Sequence, residues 1–405
     1  MHAKNLSILY LIGDRGLDLT KGEGFKIHVQ KIIEGLQKKG HNVFLLTINE
    51  KQSLPEFDNY LTVQHKYLRF FFHRLFPFTG TTNSINILFH IIRLNKLYKF
   101  DIIHERFGLY SCGGILASRL LGIPHVIEIN GPGIEEKKLF TKDLDPIQKF
   151  TAKMIRKFCL RQTDHIIAVS NNLKAFLLDN CVAKQKDKIT VLPNAADGDA
   201  FDRHFNVQDI KASLGLEDKF VLAYTGTLQV WYAIEDLISA FPQVLKEIPN
   251  AFLLIAGEGQ AREKLGNLVC FHGISHNVRF MGYINHSRIP EILSIADVVI
   301  APYKEVGMPF FNSPIKVFEY LSAGKAIVST KIGQITEVLQ DQHTALLVTP
   351  SSIEELANAI IRLAHDEQLR NYLAKNAKTE AQKYSWDKYA DQLENIYTTL
   401  LEDRR

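Results

Sequence analysis

Short hydrophobic runs alternate with longer segments of helical periodicity along almost the whole chain. The run LSILYLI at 6–12 predicts a β-strand, and the hydrophobic residues after it keep helical spacing as far as Gly40. Later runs predict further strands of the same sheet, namely HNVFLLT, FDIIHE, PHVIEIN, DHIIAVS and KITVLPN. Strands that alternate with helices indicate βαβ units, and therefore a parallel sheet.

The alternation pauses once and then starts again, which predicts two domains. A polar stretch from Pro193 to Phe205 interrupts it, and KFVLAYTG begins a second series, followed by a helix near 233–247. Later strands of this series are predicted at AFLLIAGEG, NVRFMG, ADVVIAPY, AIVST and TALLVTP. We expect an α/β protein of two doubly wound, Rossmann-like domains, 1–198 and 199–382, with a final helical segment, 383–405, that packs back on the first domain. Ligands of such sheets bind at the carboxyl ends of the strands, so the expected site is a cleft between the two domains.

Length and composition fit this architecture and narrow the class of protein. A chain of 405 residues is too long for one ordinary core, and 46% hydrophobic with 23% charged residues is typical of a globular protein. The four cysteines are scattered without CxxC spacing, which argues against a zinc site and fits a reducing compartment. The sequence starts without the pattern of a signal peptide, and no run approaches the roughly 18 apolar residues of a spanning helix. We therefore expect a cytoplasmic protein.

The net charge of +4 hides an asymmetry between the two halves. Residues 1–200 hold 28 Lys and Arg against 19 Asp and Glu, whereas residues 201–405 hold 20 against 25. The segment HKYLRFFFHRLFPF at 65–78 interleaves cations with aromatic residues, as nucleic-acid-binding segments, membrane-surface segments and ordinary folded loops all do. A second basic run contains Lys149, Lys153, Arg156, Lys157 and Arg161. We expect the first domain to dock on an anionic membrane surface, and we expect no nucleic-acid partner.

The segment NSPIKVFEYLSAGKAIVST at 312–330 carries the strongest chemical signal. Ser313 fits the N-cap of a helix, Pro314 its first position and Gly324 its C-terminal cap. Because the segment follows the strand ADVVIAPY, this helix is predicted to begin at the carboxyl edge of the second sheet. Free N–H groups at a helix start favour an anion there.

Two charged residues lie three positions apart in this otherwise apolar helix. Lys316 offers a point charge for a phosphate, and an ionised Glu319 offers acceptors for the paired hydroxyls of a ribose. Phosphate and ribose together indicate a nucleotide. The alternative is an i,i+3 ion pair on a solvated helix face, worth about 0.2–0.5 kcal/mol.

On these segments the chain resembles the retaining nucleotide-sugar glycosyltransferases of family 4, which have the GT-B fold. The resemblance extends over about residues 8–398 and implies transfer of a sugar from a nucleoside diphosphate sugar on the second domain to an acceptor on the first. In the first half it is carried by KGEGFKIHVQKIIEGLQKKGHNVFLLT, HIIAVSNNLKAFL and VLPNAADGDAF. In the second half it is carried by LLIAGEGQAREKL, NVRFMGYI, ADVVIAPY, SPIKVFEYLSAGKAIVST and YSWDKYADQLENIY.

The resemblance also implies roles for individual residues. Glu319 takes the ribose-binding role of the family's second motif glutamate. Gly24 corresponds to the first-loop glycine beside the donor phosphates, and Gly226 to the turn after the first strand of the second domain. The other donor-binding residues that the matched motifs imply are Thr227, Gly282, Tyr283, Phe311, Asn312, Ser313 and Lys316.

The chain departs from the family pattern at four positions. Phe311 stands where the first glutamate of the E-x7-E pair would fall, and Asn130 aligns with the family's first-domain histidine. Thr227 and Tyr232 replace the usual arginine and lysine. The resemblance then leaves Lys316 and the helix terminus to neutralise the diphosphate.

Candidates on the first domain each have a structural alternative. Glu128 and Asn130 are the catalytic candidates. Glu128 ends a predicted strand, where its carboxylate would orient the acceptor or the sugar. A structural salt bridge is the equal alternative for Glu128. His28 lies beside the glycine loop and is an acceptor-side candidate or a core residue. Glu105 and Arg106 end another strand and are open to the same two interpretations.

We therefore predict a metal-independent retaining glycosyltransferase, without a cofactor, that acts on a glycan or lipid-linked acceptor. Asp197 and Asp199 have D-x-D spacing but are interpreted as turn residues rather than metal ligands. The alternative function is a catalytically weak nucleotide-sugar-binding subunit, which the departures at Thr227, Tyr232 and Phe311 suggest. A GT-B epimerase is a third interpretation.

Overall fold

Contacts between Cα atoms divide the protein, a computed structural model, into two compact units. Unit 1 comprises Met1–Pro193 together with Trp386–Arg405, and unit 2 comprises Asn194–Ser385. Each unit contains one parallel sheet packed with helices. The structure describes residues 5–14, 19, 23–48, 59–62, 79–140, 144–182, 185–229 and 232–404.

Within the described residues the two sheets have seven and six strands. The strands of unit 1 are β1 (Ser7–Ile12), β2 (Asn42–Thr47), β3 (Tyr60–Thr62), β4 (Ile102–Arg106), β5 (His125–Ile129), β6 (His165–Ala168) and β7 (Ile189–Val191). The strands of unit 2 are β8 (Phe220–Thr225), β9 (Ala251–Ala256), β10 (Val278–Gly282), β11 (Val298–Ala301), β12 (Ala326–Thr330) and β13 (Leu346–Val348). All pairings between these strands are parallel, in the orders β3-β2-β1-β4-β5-β6-β7 and β10-β9-β8-β11-β12-β13.

The helices of unit 1 are α1 to α6 and α16, and those of unit 2 are α7 to α15, with these bounds: α1 (Glu23–Lys38), α2 (Thr79–Tyr98), α3 (Gly113–Leu121), α4 (Ile134–Phe140), α5 (Pro146–Gln162), α6 (Asn171–Asn180), α7 (Gly198–Phe201), α8 (Val207–Ser213), α9 (Ile234–Glu247), α10 (Arg262–Phe271), α11 (Ile289–Ser294), α12 (Ile315–Ser322), α13 (Ile335–Val338), α14 (Ile353–His365), α15 (Glu367–Ala381) and α16 (Trp386–Glu402). Short 3-10 helices cover Lys186–Lys188, Ser275–Asn277 and His286–Arg288.

The hydrophobic pattern predicted these strands well, with one exception. The run at 6–12 forms β1, and the helix predicted near 233–247 is α9. The edge strand β3 was not predicted, because three residues are too few to show alternation. Its pairing to β2, with Tyr60 opposite Leu45, supplies the structure that its own sequence does not signal.

The chain passes into unit 2 between Pro193 and Asn194, a few residues before the boundary predicted at 198. The Asn194 backbone N–H donates to Ser313 Oγ at 2.8 Å, which ties this residue to unit 2. The chain returns to unit 1 at Trp386, just after the predicted limit at 382.

The last helix crosses back and packs in unit 1, as predicted. Directly after α1, Lys39 Nζ lies 2.5 Å from Asp391 and 2.9 Å from Glu394 of α16. A Cβ at Gly35 would lie 3.0 Å from the Cβ of Ala390, so glycine lets the two helices approach closely. The inner face of α16 is formed by Trp386, Tyr389, Ala390, Leu393 and Tyr397, all buried.

The strand order places a topological switch point in each sheet. In unit 1, β1 lies between β2 and β4, and in unit 2, β8 lies between β9 and β11. The connection from β1 leads to β2 on one side and that from β4 leads to β5 on the other, and the same holds for β8 and β11 in unit 2. Where adjacent strands connect in opposite directions, a crevice opens at their carboxyl ends. The strand ends that border these crevices are Ile12 and Arg106 in unit 1, and Thr225 and Ala301 in unit 2.

Candidate functional site

The helix α12 follows β11 and so begins at the carboxyl edge of the unit 2 sheet, as the sequence predicted. Its start corrects one prediction: Pro314, not Ser313, precedes the first helical residue, and no side chain caps the helix. Pro314 has extended backbone angles, which delays the helix by one residue, and Ser313 Oγ accepts instead from Asn194. Gly324 follows the last turn with a φ of +59°, the left-handed conformation expected of a C-terminal glycine.

The Lys316 ammonium group is buried between two tyrosines. Its Nζ donates to the Tyr224 hydroxyl at 2.6 Å, and it lies 3.9 Å and 4.1 Å from the ring centroids of Tyr224 and Tyr232. The Tyr224 hydroxyl in turn donates to the Thr227 carbonyl at 2.9 Å. Two of the positions where the family pattern differs, 227 and 232, therefore hold Lys316 in place through neutral groups.

Gly226 makes room for this ammonium group. Its φ of +124° disfavours any other residue, and a Cβ there would lie only 2.8 Å from Lys316 Nζ. The glycine that the sequence placed in the turn after β8 thus contacts the predicted phosphate-binding lysine directly.

Burial lowers the pKa of Lys316 to about 7, although the negative charge of Glu319 opposes the shift. Near neutral pH the site therefore exchanges readily between an ammonium and a neutral amine. An arriving anion would favour the charged form, because an opposite charge raises the pKa of an amine.

Glu319 is buried, but its carboxylate has few partners. Its Oε1 lies 2.5 Å from His286 Nε2, and within the described residues this is its one hydrogen-bonding contact. A carboxylate offers about four acceptor positions, so most of its capacity is unused. Lys316 and Glu319 thus have separate partners and are both buried, which excludes a solvated i,i+3 ion pair.

His286 is a site residue that the sequence did not reveal. It starts the 3-10 helix His286–Arg288, a few residues after the predicted donor-binding pair Gly282 and Tyr283. Gly282 has a φ of +71°, and Tyr283 is exposed. A single histidine in a loop shows no periodic pattern that could predict a role. Its position shortly after the matched motif NVRFMGYI was the one sequence feature that could have indicated a site residue.

The segment before α12 has a buried and a half-buried position. Phe311 is buried and Asn312 half-buried, so the residue at the first position of the E-x7-E pattern is an apolar core side chain here. Asn194 also donates to the Ser313 carbonyl through its side chain. Two hydrogen bonds therefore fix Ser313 to Asn194, one through its side chain and one through its carbonyl.

In unit 1, Glu128 lies at the centre of a buried network. Its carboxylate accepts from Arg106 Nη1 at 2.9 Å and from Asn130 Nδ2 at 2.5 Å, and lies 2.7 Å from His28 Nε2. His104 Nε2 and the Tyr10 hydroxyl are each 3.3 Å away. The side chain has no exposed surface, so Glu128 is not the open strand-end carboxylate that the sequence suggested.

The network is covered by the helices α1 and α16. His28 of α1 meets the rings of Trp386 and Tyr389 edge-on, and His104 Nδ1 lies 2.6 Å from the Tyr397 hydroxyl. Burial alone would raise the pKa of Glu128, but its interactions with His28, Arg106 and His104 hold the pKa well below the usual range. The carboxylate is therefore ionised and enclosed.

Glu105 does not join Arg106 and Glu128, which corrects its grouping as an acceptor-side candidate. Successive residues of a strand point to opposite faces of the sheet. Glu105 points to the other face, where it accepts from Ser111 Oγ at 2.5 Å and lies 3.1 Å from His125 Nε2. It is buried there and belongs to the core.

The loop after β5 contains Asn130, the catalytic candidate beside Glu128. Asn130 is half-buried at the end of the strand, with its amide nitrogen on Glu128. The Glu136 side chain of α4 packs against this loop. A Cβ at Gly131 would lie only 2.4 Å from Glu136 Oε1, so glycine leaves room for the carboxyl group. Burial raises the pKa of Glu136 to about 7, although a hydrogen bond from Gly133 opposes the shift. This carboxyl group belongs to no motif that the sequence revealed.

Two further predicted positions lie at helix starts. Gly24 is in the first turn of α1, and a Cβ there would have no atom within 4 Å, so packing does not require a glycine. Asp197 precedes the short helix α7 and Asp199 lies in its first turn.

The predicted membrane-binding residues are only partly covered by the structure. Lys66, Arg69, His73 and Arg74 lie outside the described residues. Arg156 does not belong to an exposed basic run, since its guanidinium donates to the Pro132 carbonyl at 2.7 Å and pairs with Glu135. Among the described residues, no helix is both long and apolar enough to span a membrane.

Comparison with known proteins identifies the class and then the family. Residues 206–380 match the model for glycosyl transferases group 1, and residues 23–199 match the model for glycosyltransferase family 4. The chain is thus a member of the glycosyltransferases. It belongs to family 4, and its two Rossmann-like units form the GT-B fold.

Individual relatives extend over nearly the whole chain. An uncharacterized glycosyltransferase of Methanocaldococcus jannaschii is 28% identical over 385 residues, covering 94% of this chain and 95% of that one. The UDP-Gal:alpha-D-GlcNAc-diphosphoundecaprenol alpha-1,3-galactosyltransferase of Escherichia coli is 25% identical, with 92% and 96% covered. The solved structure of Anabaena HepE in complex with UDP and glucose superposes with a TM-score of 0.76 at 17% identity, covering 97% and 99%.

Proposed function

We propose that this glycosyltransferase retains the anomeric configuration and uses a nucleoside diphosphate sugar without a metal ion. The observation that carries the proposal is the pair of buried charges on α12, Lys316 and Glu319, at the carboxyl edge of the unit 2 sheet. Burying two charges is costly unless a ligand or partner compensates them. Apart from each other's charge, their hydrogen-bonding partners are neutral or weakly basic, and a ligand with phosphate and hydroxyl groups would supply the further compensation.

Lys316 binds the diphosphate in this proposal. The tyrosine rings and Gly226 fix its ammonium group, so little side-chain entropy is lost when the donor binds. As the glycosidic bond breaks, negative charge grows on the leaving diphosphate, and a fixed cation stabilises that charge. A lysine in this position supplies the charge that a divalent cation supplies in other transferases.

Glu319 and His286 bind the ribose. The carboxylate accepts from the paired hydroxyls, while His286 holds the other side of the carboxylate in place. The same arrangement suits any ribonucleotide. UDP is the first nucleotide to test, since the E. coli relative is named for UDP-Gal and the HepE structure contains UDP.

The acceptor binds unit 1, where Asn130 and Arg106 lie at the ends of β5 and β4. Glu128 has no exposed surface, so we assign it as a positioning residue that orients both groups rather than as a catalytic residue. We propose a lipid-linked glycan as the acceptor class, because residues 1–200 are basic overall and the E. coli relative is named for a diphosphoundecaprenol-linked acceptor. Such an acceptor places the protein at a membrane surface.

The chemistry needs no protein nucleophile. The bond between the anomeric carbon and the diphosphate oxygen breaks, and a bond from the acceptor oxygen forms on the same face of the sugar. The acceptor proton passes to the leaving diphosphate, so charges balance without a further base. The configuration is thereby retained.

A panel of nucleoside diphosphate sugars tests the proposal. The matching donor, at about 100 times its Kd, should stabilise the protein by about 2.7 kcal/mol in thermal unfolding. Transfer to an acceptor, followed by NMR, should give a product with the donor's anomeric configuration after exhaustive chelation of metals. An inverted product, or activity that returns only with added metal, would contradict the mechanism. Binding without transfer or donor hydrolysis would favour the nucleotide-sugar-binding subunit instead.

A further inference from the structure

The helix α5 carries a stripe of large hydrophobic side chains on its outer face. Ile147, Phe150, Met154 and Phe158 are 66%, 67%, 54% and 44% exposed. Their spacing of three, four and four residues places them on one side of the helix. The stripe extends over 12 residues, from Ile147 to Phe158, which are about 16 Å apart along the axis at 1.5 Å per residue.

The opposite face of α5 already anchors the helix in unit 1. Ala152, Cys159 and Leu160 are buried, and Arg156 is fixed by Glu135 and the Pro132 carbonyl. The N-terminus is capped by Asp145, which forms a capping box. The helix therefore does not depend on its outer stripe for folding, and four exposed apolar side chains in a row indicate an interaction surface.

Cations follow one flank of the stripe. Lys153, Lys157 and Arg161 recur at every fourth position and are exposed, whereas Lys149, one turn earlier, is half-buried and lies toward the face that packs in unit 1. The helix sequence PIQKFTAKMIRKFCLRQ contains no acidic residue. A row of cations beside a row of large apolar side chains is complementary to anionic head groups above acyl chains.

We propose that α5 lies in the plane of an anionic membrane, with Phe150, Met154 and Phe158 inserted below the head groups. This inference rests on the membrane-presented acceptor of the proposed function and identifies the element that docks. It differs from the earlier expectation, which relied on residues 65–78 and included Arg156. The docking surface is the outer face of α5 and its flanking lysines.

Co-sedimentation with vesicles of phosphatidylglycerol and phosphatidylcholine, against vesicles of phosphatidylcholine alone, tests the proposal. Wild-type protein should bind the anionic vesicles alone. The variants F150S/F158S and K153E/K157E should each bind at least about tenfold more weakly. The control F271S removes the most exposed phenylalanine of unit 2, which is 82% exposed, and should bind as wild type.

Depth is measured with the variant M154W. Lipids brominated in the acyl chains should quench the added tryptophan more than the native tryptophans of the parent protein. The UDP affinity of every variant is measured by titration and shows whether unit 2 is intact. Failure of the nucleotide proposal can therefore be distinguished from failure of the docking proposal. Wild-type protein that ignores anionic vesicles would overturn the docking proposal, as would α5 variants that bind like wild type. A dimer that these variants dissociate, without vesicle binding, would assign the face to a second copy and also overturn it.

Discussion

Glu128 in unit 1 and Glu319 in unit 2 are both buried glutamates near a basic residue, yet their surroundings differ. Glu128 lies within 3.3 Å of polar atoms from five side chains, whereas Glu319 has His286. Burial alone therefore does not distinguish a structural acid from the acid that we propose binds a ligand. We propose that the number of acceptor positions still unused does, because a ligand with hydroxyl groups can donate to them.

The same contrast applies to the cations beside these acids. Arg106 is paired to Glu128 and lies under the Phe25 ring, 4.6 Å from its centroid. Lys316 is held by a neutral hydroxyl and two tyrosine rings. Unit 1 thus neutralises these buried charges internally, and we propose that a ligand neutralises those of Lys316 and Glu319 in unit 2.

The largest expected effect is on the stability of unit 1. Glu128→Gln should lower the free energy of unfolding by about 3–5 kcal/mol, since it leaves Arg106 buried without its counter-charge. Urea unfolding measures this effect. The control Glu34→Gln, at a half-exposed surface pair with Lys31, should change stability by less than about 1 kcal/mol. Equal small losses in both variants would remove the structural role of Glu128.

The second effect is on nucleotide affinity in unit 2. Lys316→Met should weaken UDP binding by about 10- to 100-fold, the loss of a hydrogen bond to a charged group, without destabilising the protein. Calorimetric titration and urea unfolding check the two parts. Lys325→Met is the matched control, because Lys325 Nζ donates to the Ser294 and Ala296 carbonyls. It should lower stability and leave UDP affinity unchanged; the reverse result would exchange the roles of the two lysines.

The third effect is a pH dependence that comes from Lys316. Its pKa is about 7 in the free protein, and bound diphosphate raises it, so binding above pH 7 takes up a proton. UDP affinity should therefore fall by up to about tenfold per pH unit between pH 8 and 9. Titrations in buffers of different ionisation enthalpy measure the proton uptake. Lys316→Met should abolish the dependence, and a flat wild-type profile would contradict the assignment.

The smallest effect separates two glycines. Gly226→Ala should displace the Lys316 ammonium and cost about 1–3 kcal/mol, because its backbone conformation also disfavours alanine. Gly24→Ala should leave stability unchanged or raise it by up to about 1 kcal/mol, since a helix prefers alanine and nothing lies near the new Cβ. Thermal unfolding compares them. If Gly24→Ala nevertheless lowers transfer activity, the need for glycine comes from a ligand; unchanged activity would remove Gly24 from the donor site.

Much of the fold could be read from the sequence, because buried parallel strands are short hydrophobic runs and the helices between them keep a 3.6-residue period. The α12 motif was also visible, since its charges interrupt an apolar helix. What could not be read was the enclosure of Glu128, which depends on Tyr10, His28 and His104 from three different elements. The grouping of Glu105 with its neighbour was wrong for a simpler reason: strand alternation separates the two.

The central claim is that Glu319 binds the ribose hydroxyls, and a titration of UDP and 2′-deoxy-UDP into wild type and Glu319→Gln tests it most directly. Wild type should prefer UDP by about tenfold, the worth of one hydrogen bond to a charged group. Glu319→Gln should bind UDP much more weakly, lose that preference and unfold at nearly the same urea concentration. A variant that still prefers UDP by the same factor would contradict the claim.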